Sequence, residues 1–130
     1  MSRPKSKSGE KPPLDRPAIR LKINIRADML GAGKIRLLTL LGETGSISAA
    51  ARELGVSYRR AWFLLDTLQA CFREPLFETS RGGVGKGGST LTATGQELVR
   101  RHQEFRAALD EIAEPYLDWL ESQQSGEPPS

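Results

Sequence analysis

The sequence has one cysteine and one histidine, and no apolar run approaches the roughly 20 residues that a bilayer span needs. Cys71 has no internal disulfide partner, and one Cys with one His gives too few soft ligands for a structural zinc site. No metal, cofactor or redox chemistry is expected. The N-terminus is basic and rich in Pro and Ser, without the apolar core of a secretory signal. The expectation is one small soluble domain, cytoplasmic and without a membrane partner.

What is present is charge, and it is segregated. The chain of 130 residues carries 19 Lys plus Arg against 16 Asp plus Glu. Residues 1–90 hold 16 basic and 8 acidic side chains, whereas residues 91–130 hold 3 basic and 8 acidic. A basic front and an acidic rear suggest one surface that meets a polyanion and a segment with another task.

Residues 1–19 include Pro4, Pro12, Pro13 and Pro17 and five Lys or Arg with almost nothing large and apolar, so a disordered tail is expected there. Residues 122–130 read as a second polar tail. Between them, Leu21, Ile23 and Ile25 alternate with Lys22, Asn24 and Arg26, the period of a half-buried strand. From Ala32 to about Glu43, Ile35, Leu38 and Leu41 recur at helical spacing, with Leu37 and Leu40 beside them and Gly42 and Gly45 at the end.

Residues 47–68 read as two helices around a short turn. Ser48 is the expected cap of a helix through Leu54, Gly55 ends it in a left-handed conformation, and Ser57 caps a second helix running to about Phe72. Ala50 and Ala51 allow close contact, and Leu54, Val56, Ala61, Leu64, Leu65 and Leu68 fall where a helix-turn-helix buries its apolar side. With Ala61, Leu64, Leu65, Leu68 and Phe72 inward, the 100° step puts Arg59, Phe63, Asp66 and Thr67 outward, with Arg60 and Trp62 at the margins. Such arginines reach phosphates or guanine edges, and the aromatics suit a thymine methyl. Tyr58 can donate to a phosphate. Cys71, beside Phe72, is expected to be a small buried apolar group.

After Glu74-Pro75, the stretches Leu76–Thr79 and Ser89–Leu91 read as strands around a loop with five glycines between Arg81 and Gly88. A glycine-rich hairpin after a helix-turn-helix is a wing, able to approach a phosphate backbone closely. Gly82-Gly83-Val84-Gly85-Lys86 imitates a nucleotide-binding phosphate loop. However, Gly87 stands where a magnesium-binding Ser or Thr is needed, Ser80 stands where the first Gly belongs, and no helix opens after Lys86. No enzyme is expected.

From Thr94 to residue 121, Leu98, His102, Phe105, Leu109, Ile112 and Tyr116 step by fours and threes, the 3.5-residue average of a coiled-coil seam. About 28 residues of helix extend about 40 Å, more than so small a domain covers. The seam is therefore expected to meet a second copy, with His102 a packed seam residue and Pro115 a bend. The expected fold class is α+β, mainly helical: a winged helix-turn-helix over residues 20–93, then a long dimerisation helix over 94–121.

The run Thr44-Gly45-Ser46-Ile47-Ser48-Ala49-Ala50-Ala51-Arg52-Glu53-Leu54-Gly55, then Val56-Ser57-Tyr58-Arg59-Arg60-Ala61-Trp62, resembles the N-terminal DNA-binding domain of the molybdate-responsive transcriptional regulators, relatives of LysR-type winged helices. Residues 82–88 and Leu91-Thr92-Ala93-Thr94-Gly95 are similar to that family's wing and the start of its dimerisation helix. The resemblance implies a homodimer on a partly palindromic duplex DNA operator. It places Ser57, Tyr58, Arg59, Arg60, Trp62, Phe63, Asp66 and Thr67 on or beside the recognition helix, and Arg81 and Lys86 on the wing. The family's C-terminal oxyanion-binding domains find no room in 130 residues, so a regulator without its own sensor, and without a small-molecule ligand, is expected. The competing expectation is a winged-helix protein-interaction module with little or no DNA binding.

Overall fold

A computed structural model describes residues 16–26, 28–80 and 88–125. Two antiparallel hairpins flank three short helices, and a long helix completes the chain: β1 (Lys22–Ile25), β2 (Asp28–Gly31), α1 (Ala32–Thr44), α2 (Ile47–Leu54), α3 (Tyr58–Gln69), β3 (Phe77–Ser80), β4 (Gly88–Leu91) and α4 (Ala93–Gln123). The α+β, mainly helical winged architecture is as the sequence implies.

The core is built on α1. Leu37, Leu38, Leu40 and Leu41 are almost completely buried, and Ile47, Ala50, Ala51, Ala61, Leu65, Leu68 and Leu76 pack around them. Each such leucine contributes about 1.5–3 kcal/mol by leaving water. The alanines let α2 and α3 come close to one another and to α1. Pairing β1 with β2 was not evident in the sequence: the strand segment Asp28–Gly31 has no alternating pattern, and its register, Ile23 opposite Leu30, places Leu30 in the core.

Local chemistry fixes the helix-turn-helix. The N-cap of α2 is Ser46 rather than Ser48: its Oγ accepts from the Ala49 N–H at 3.1 Å, while Thr44 Oγ1 accepts from the Ser46 N–H. Gly55, at φ 87°, ends α2 with paired bonds, Val56 N–H to the Ala51 carbonyl and Gly55 N–H to the Arg52 carbonyl. Ser57 then caps α3, its Oγ accepting from the Arg60 N–H at 3.0 Å. The helix stops at Gln69, earlier than Phe72. The Gln69 side chain spans the following turn, accepting from the Leu76 N–H and donating to the Glu74 carbonyl.

The long helix joins the wing through a compact junction. Thr92 caps α4, its Oγ1 accepting from the Gly95 N–H and donating to the Pro75 carbonyl at 2.6 Å. The helix continues unbroken through Pro115 to Gln123. Four residues assigned by sequence to the N-terminal tail, 16–19, lie against it: Arg106 donates to the Ile19 carbonyl and Arg16 pairs with Glu121. Ala113, between these anchors, is 9% exposed.

Candidate nucleic-acid interface

Helix α3 is amphipathic in the sense the sequence suggests. Ala61, Leu65 and Leu68 are buried against α1 and α2, whereas Ser57, Tyr58, Arg59, Arg60, Phe63 and Asp66 are exposed. Phe63 is 54% exposed, a large apolar ring held in water. The Arg60 guanidinium carbon sits 5.2 Å from that ring's centroid, a cation–π contact that holds the two side chains side by side. Thr67 is half-buried and its hydroxyl donates to the Leu64 carbonyl of its own helix.

Trp62 has a different role from its neighbours. It is half-buried and packed against the core, edge-on to Tyr58 at 6.4 Å and tilted against Phe77 of β3 at 6.1 Å. It joins α3 to the root of the β3–β4 hairpin. The register Phe77–Leu91, Glu78–Thr90, Thr79–Ser89 and Ser80–Gly88 defines that root. Arg81 and Lys86 lie outside the described residues, as does the segment that imitates a phosphate loop.

Between the start of α2, the first half of α3 and the wing root lies a cleft of about 520 Å³, lined by Ser46, Ser48, Tyr58, Trp62, Thr79 and Ser80 among others. Its rim carries the hydroxyls of Ser46, Ser48, Tyr58, Thr79 and Ser80, neutral groups of the kind that position a sugar-phosphate backbone without reading sequence. Of these lining residues, the sequence had not pointed to Ser46, Ser48, Thr79 or Ser80 as candidate contacts; recognising Ser46 as the cap of α2 would have drawn attention to the start of that helix.

The six seam residues fall on two faces of α4. Leu98, His102 and Leu109 are half-buried on the side that meets the domain, and Leu98 packs against the core. Phe105, Ile112 and Tyr116 face solvent with Trp119, whose ring stacks on that of Tyr116 at 6.5 Å. Burial and the Arg106 cation push the His102 imidazole below its ordinary pKa. Cys71 is half-buried, and its Sγ lies 3.7 Å from the Ile25 carbonyl oxygen and 3.5 Å from that of Thr67.

The chain matches the bacterial regulatory helix-turn-helix proteins of the lysR family over residues 33–96, from α1 through the first turn of α4. Residues 33–96 are a lysR-type helix-turn-helix domain. This is a family of regulators, not of enzymes. The chain is 36% identical over 83 residues to the molybdenum-pterin-binding protein MopB of Rhodobacter capsulatus, covering 64% of this chain and 31% of that protein. It is 37% identical over 67 residues to the DNA-binding transcriptional dual regulator ModE of Escherichia coli K12, covering 52% and 26% respectively. Among solved structures, full-length CbnR in complex with its target DNA aligns with a TM-score of 0.50 at 26% identity, over 62% of this chain and 27% of that one. The chain thus spans less than a third of the length of these relatives.

Proposed function

We propose that this chain is a dimeric, sequence-specific duplex-DNA-binding transcriptional regulator. The observation that carries the reading is the outward face of α3, where Arg59, Arg60 and Phe63 stand exposed on a helix capped by Ser57 and pegged by Trp62. Arg60, held beside Phe63, reads a base pair in the major groove, with the ring against a thymine methyl. Tyr58 and the hydroxyls of the adjoining cleft hold the phosphate strand, and Arg81 and Lys86 add backbone contacts from the wing. Two copies joined through α4 present two recognition helices, so the operator is partly palindromic. A regulator of this kind works in the cytoplasm at the nucleoid. The molybdenum-linked names of the relatives are carried by proteins more than three times as long as the stretch they share with this chain, and no oxyanion site is assigned to these residues.

The test is selection of bound sequences from a random duplex pool with the full chain. Recovery of a motif with two related half-sites supports the reading, and a pool that remains random overturns sequence specificity. The second reading, a protein-docking module, draws on the exposed aromatic residues of α4; it gains if the chain captures no duplex at all.

A further inference from the structure

The β1–β2 hairpin carries the backbone feature least explained by folding alone. Arg26, at φ 50°, is the one non-glycine residue with positive φ among the described residues. Ile25 pairs with Asp28, and Arg26 directly follows that pair's first residue at a position where Asn, Asp or Gly would adopt the left-handed conformation at lower cost. Strain of this kind points to function when the side chain it displays has a task. The Arg26 side chain is exposed and makes no ion pair or hydrogen bond among the described residues; the same is true of Arg73.

The hairpin also sits in a telling place. The Ile25 carbonyl lies 3.7 Å from Cys71 Sγ, just beyond the C-terminal end of α3, so Arg26 stands at that end. Asp66 and Ala70 continue the exposed side of α3, and Arg73 follows three residues later. The β3–β4 wing root, by contrast, meets α3 through Tyr58 and Trp62 in its first half. The recognition helix is therefore bracketed by two hairpins. Its 12 residues extend about 18 Å, enough to cross a major groove about 12 Å wide and bring both brackets to the strands that border it.

We propose that the β1–β2 hairpin is a second wing, in which Arg26, together with Arg73, holds the sugar-phosphate backbone on the opposite side of the groove from the β3–β4 hairpin. The inference rests on the DNA-binding reading above and adds to it a phosphate clamp of which Arg26 lies outside the residues matched to the lysR family, which begin at residue 33.

The experiment is a fluorescence-anisotropy salt titration of the full chain on a labelled random-sequence duplex, with Arg26→Gly, Arg73→Ala and Arg16→Ala variants. Each phosphate left unneutralised lowers the slope of log affinity against log salt by about one unit, or about two per dimer. Arg26→Gly and Arg73→Ala are each expected to show this reduction. Arg16→Ala, which removes an equal charge paired with Glu121 on the far part of α4, leaves the slope unchanged. Arg26→Gly also relieves the strained turn, so its melting temperature holds or rises while DNA affinity falls, and a purely structural role would move the two together. An unaltered slope for Arg26→Gly, or an equal reduction with Arg16→Ala, overturns the second wing while the DNA reading stands. A wild-type chain that binds no duplex overturns both.

Discussion

Arg59 and Arg60 are adjacent in sequence and unequal in setting. Arg60 lies over the Phe63 ring, a contact that restrains its guanidinium, whereas Arg59 has no such ring contact among the described residues. A restrained fork suits the paired acceptors of guanine, and a less restrained one suits a phosphate. Arg60→Ala is therefore expected to cost about 1–3 kcal/mol at one base position and to relax discrimination there. Arg60→Lys does not restore it, because an ammonium is not planar. Arg59→Ala weakens all duplexes alike. Binding to a set of single-base operator variants checks this, and equal, sequence-blind losses for both substitutions would sink the assignment. The exposed line Arg59, Phe63 and Asp66 was legible from the 100° step alone. The task of Trp62 was not, because its partner Phe77 is 15 positions away in sequence and only packing brings the rings together.

The junction of wing and long helix shows why Leu91-Thr92-Ala93-Thr94-Gly95 takes this form. Thr92 ties Pro75, Leu76 and α4 together, and a Cβ on Gly95 would fall 2.0 Å from the Leu76 carbonyl oxygen. That approach is to backbone, which cannot swing aside. Gly95→Ala is expected to cost about 1–3 kcal/mol or more by forcing α4 away from β3, and Thr92→Ala about 0.5–2 kcal/mol through loss of the cap. Thr92→Ser retains most of that stability. Urea titration measures all three, and a Gly95→Ala protein as stable as wild type would refute the close approach. Helix α4 also carries a pH dependence. His102 titrates lower in the fold than in the unfolded chain, because burial, and then Arg106, disfavour its cation. The folded state thus binds fewer protons, so stability falls as pH drops through about 6.5, and His102 contributes no slope well above that. His102→Gln should flatten this part of the stability profile, and an unchanged profile would remove His102 as the cause. At this scale sequence placed Gly55, Ser57 and the two wing strands correctly, because caps and turns are local chemistry. It missed β2 and misplaced the α2 cap at Ser48, where two serines two residues apart offer the same side chain and only the backbone of Ser46 is extended.

Across the whole molecule, α4 has three faces. Leu98, His102, Leu109, Ala113, Leu117 and Leu120 form a line that is buried or half-buried, with residues 16–19 anchored beside its distal part. Phe105, Ile112, Tyr116 and Trp119 form a second line, rotated by about 70° on the helical wheel, and Ile112 is 78% exposed. Glu104, Asp110, Glu111, Glu114 and Asp118 are exposed and occupy the remaining circumference. The sequence merged the two apolar lines into one seam, because residues such as Leu109 and Ile112 are only three positions apart and periodicity cannot show that another segment of the chain already covers one side. The separation sharpens the dimer proposal: the second copy docks on the exposed line, and the covered line serves the protomer itself. Ile112→Asp with Trp119→Asp should place charges in a dry interface and give folded monomers. Leu109→Asp should instead lower the melting temperature, because it strikes the side that holds the chain's own N-terminal segment. Monomeric Ile112→Asp/Trp119→Asp protein should also lose operator affinity more than affinity for random duplex, since a palindrome rewards only two linked half-sites. Sedimentation equilibrium combined with thermal melting separates the two lines, and a dimer that survives Ile112→Asp/Trp119→Asp but dissociates with Leu109→Asp would move the interface to the covered face and make residues 16–19 part of it.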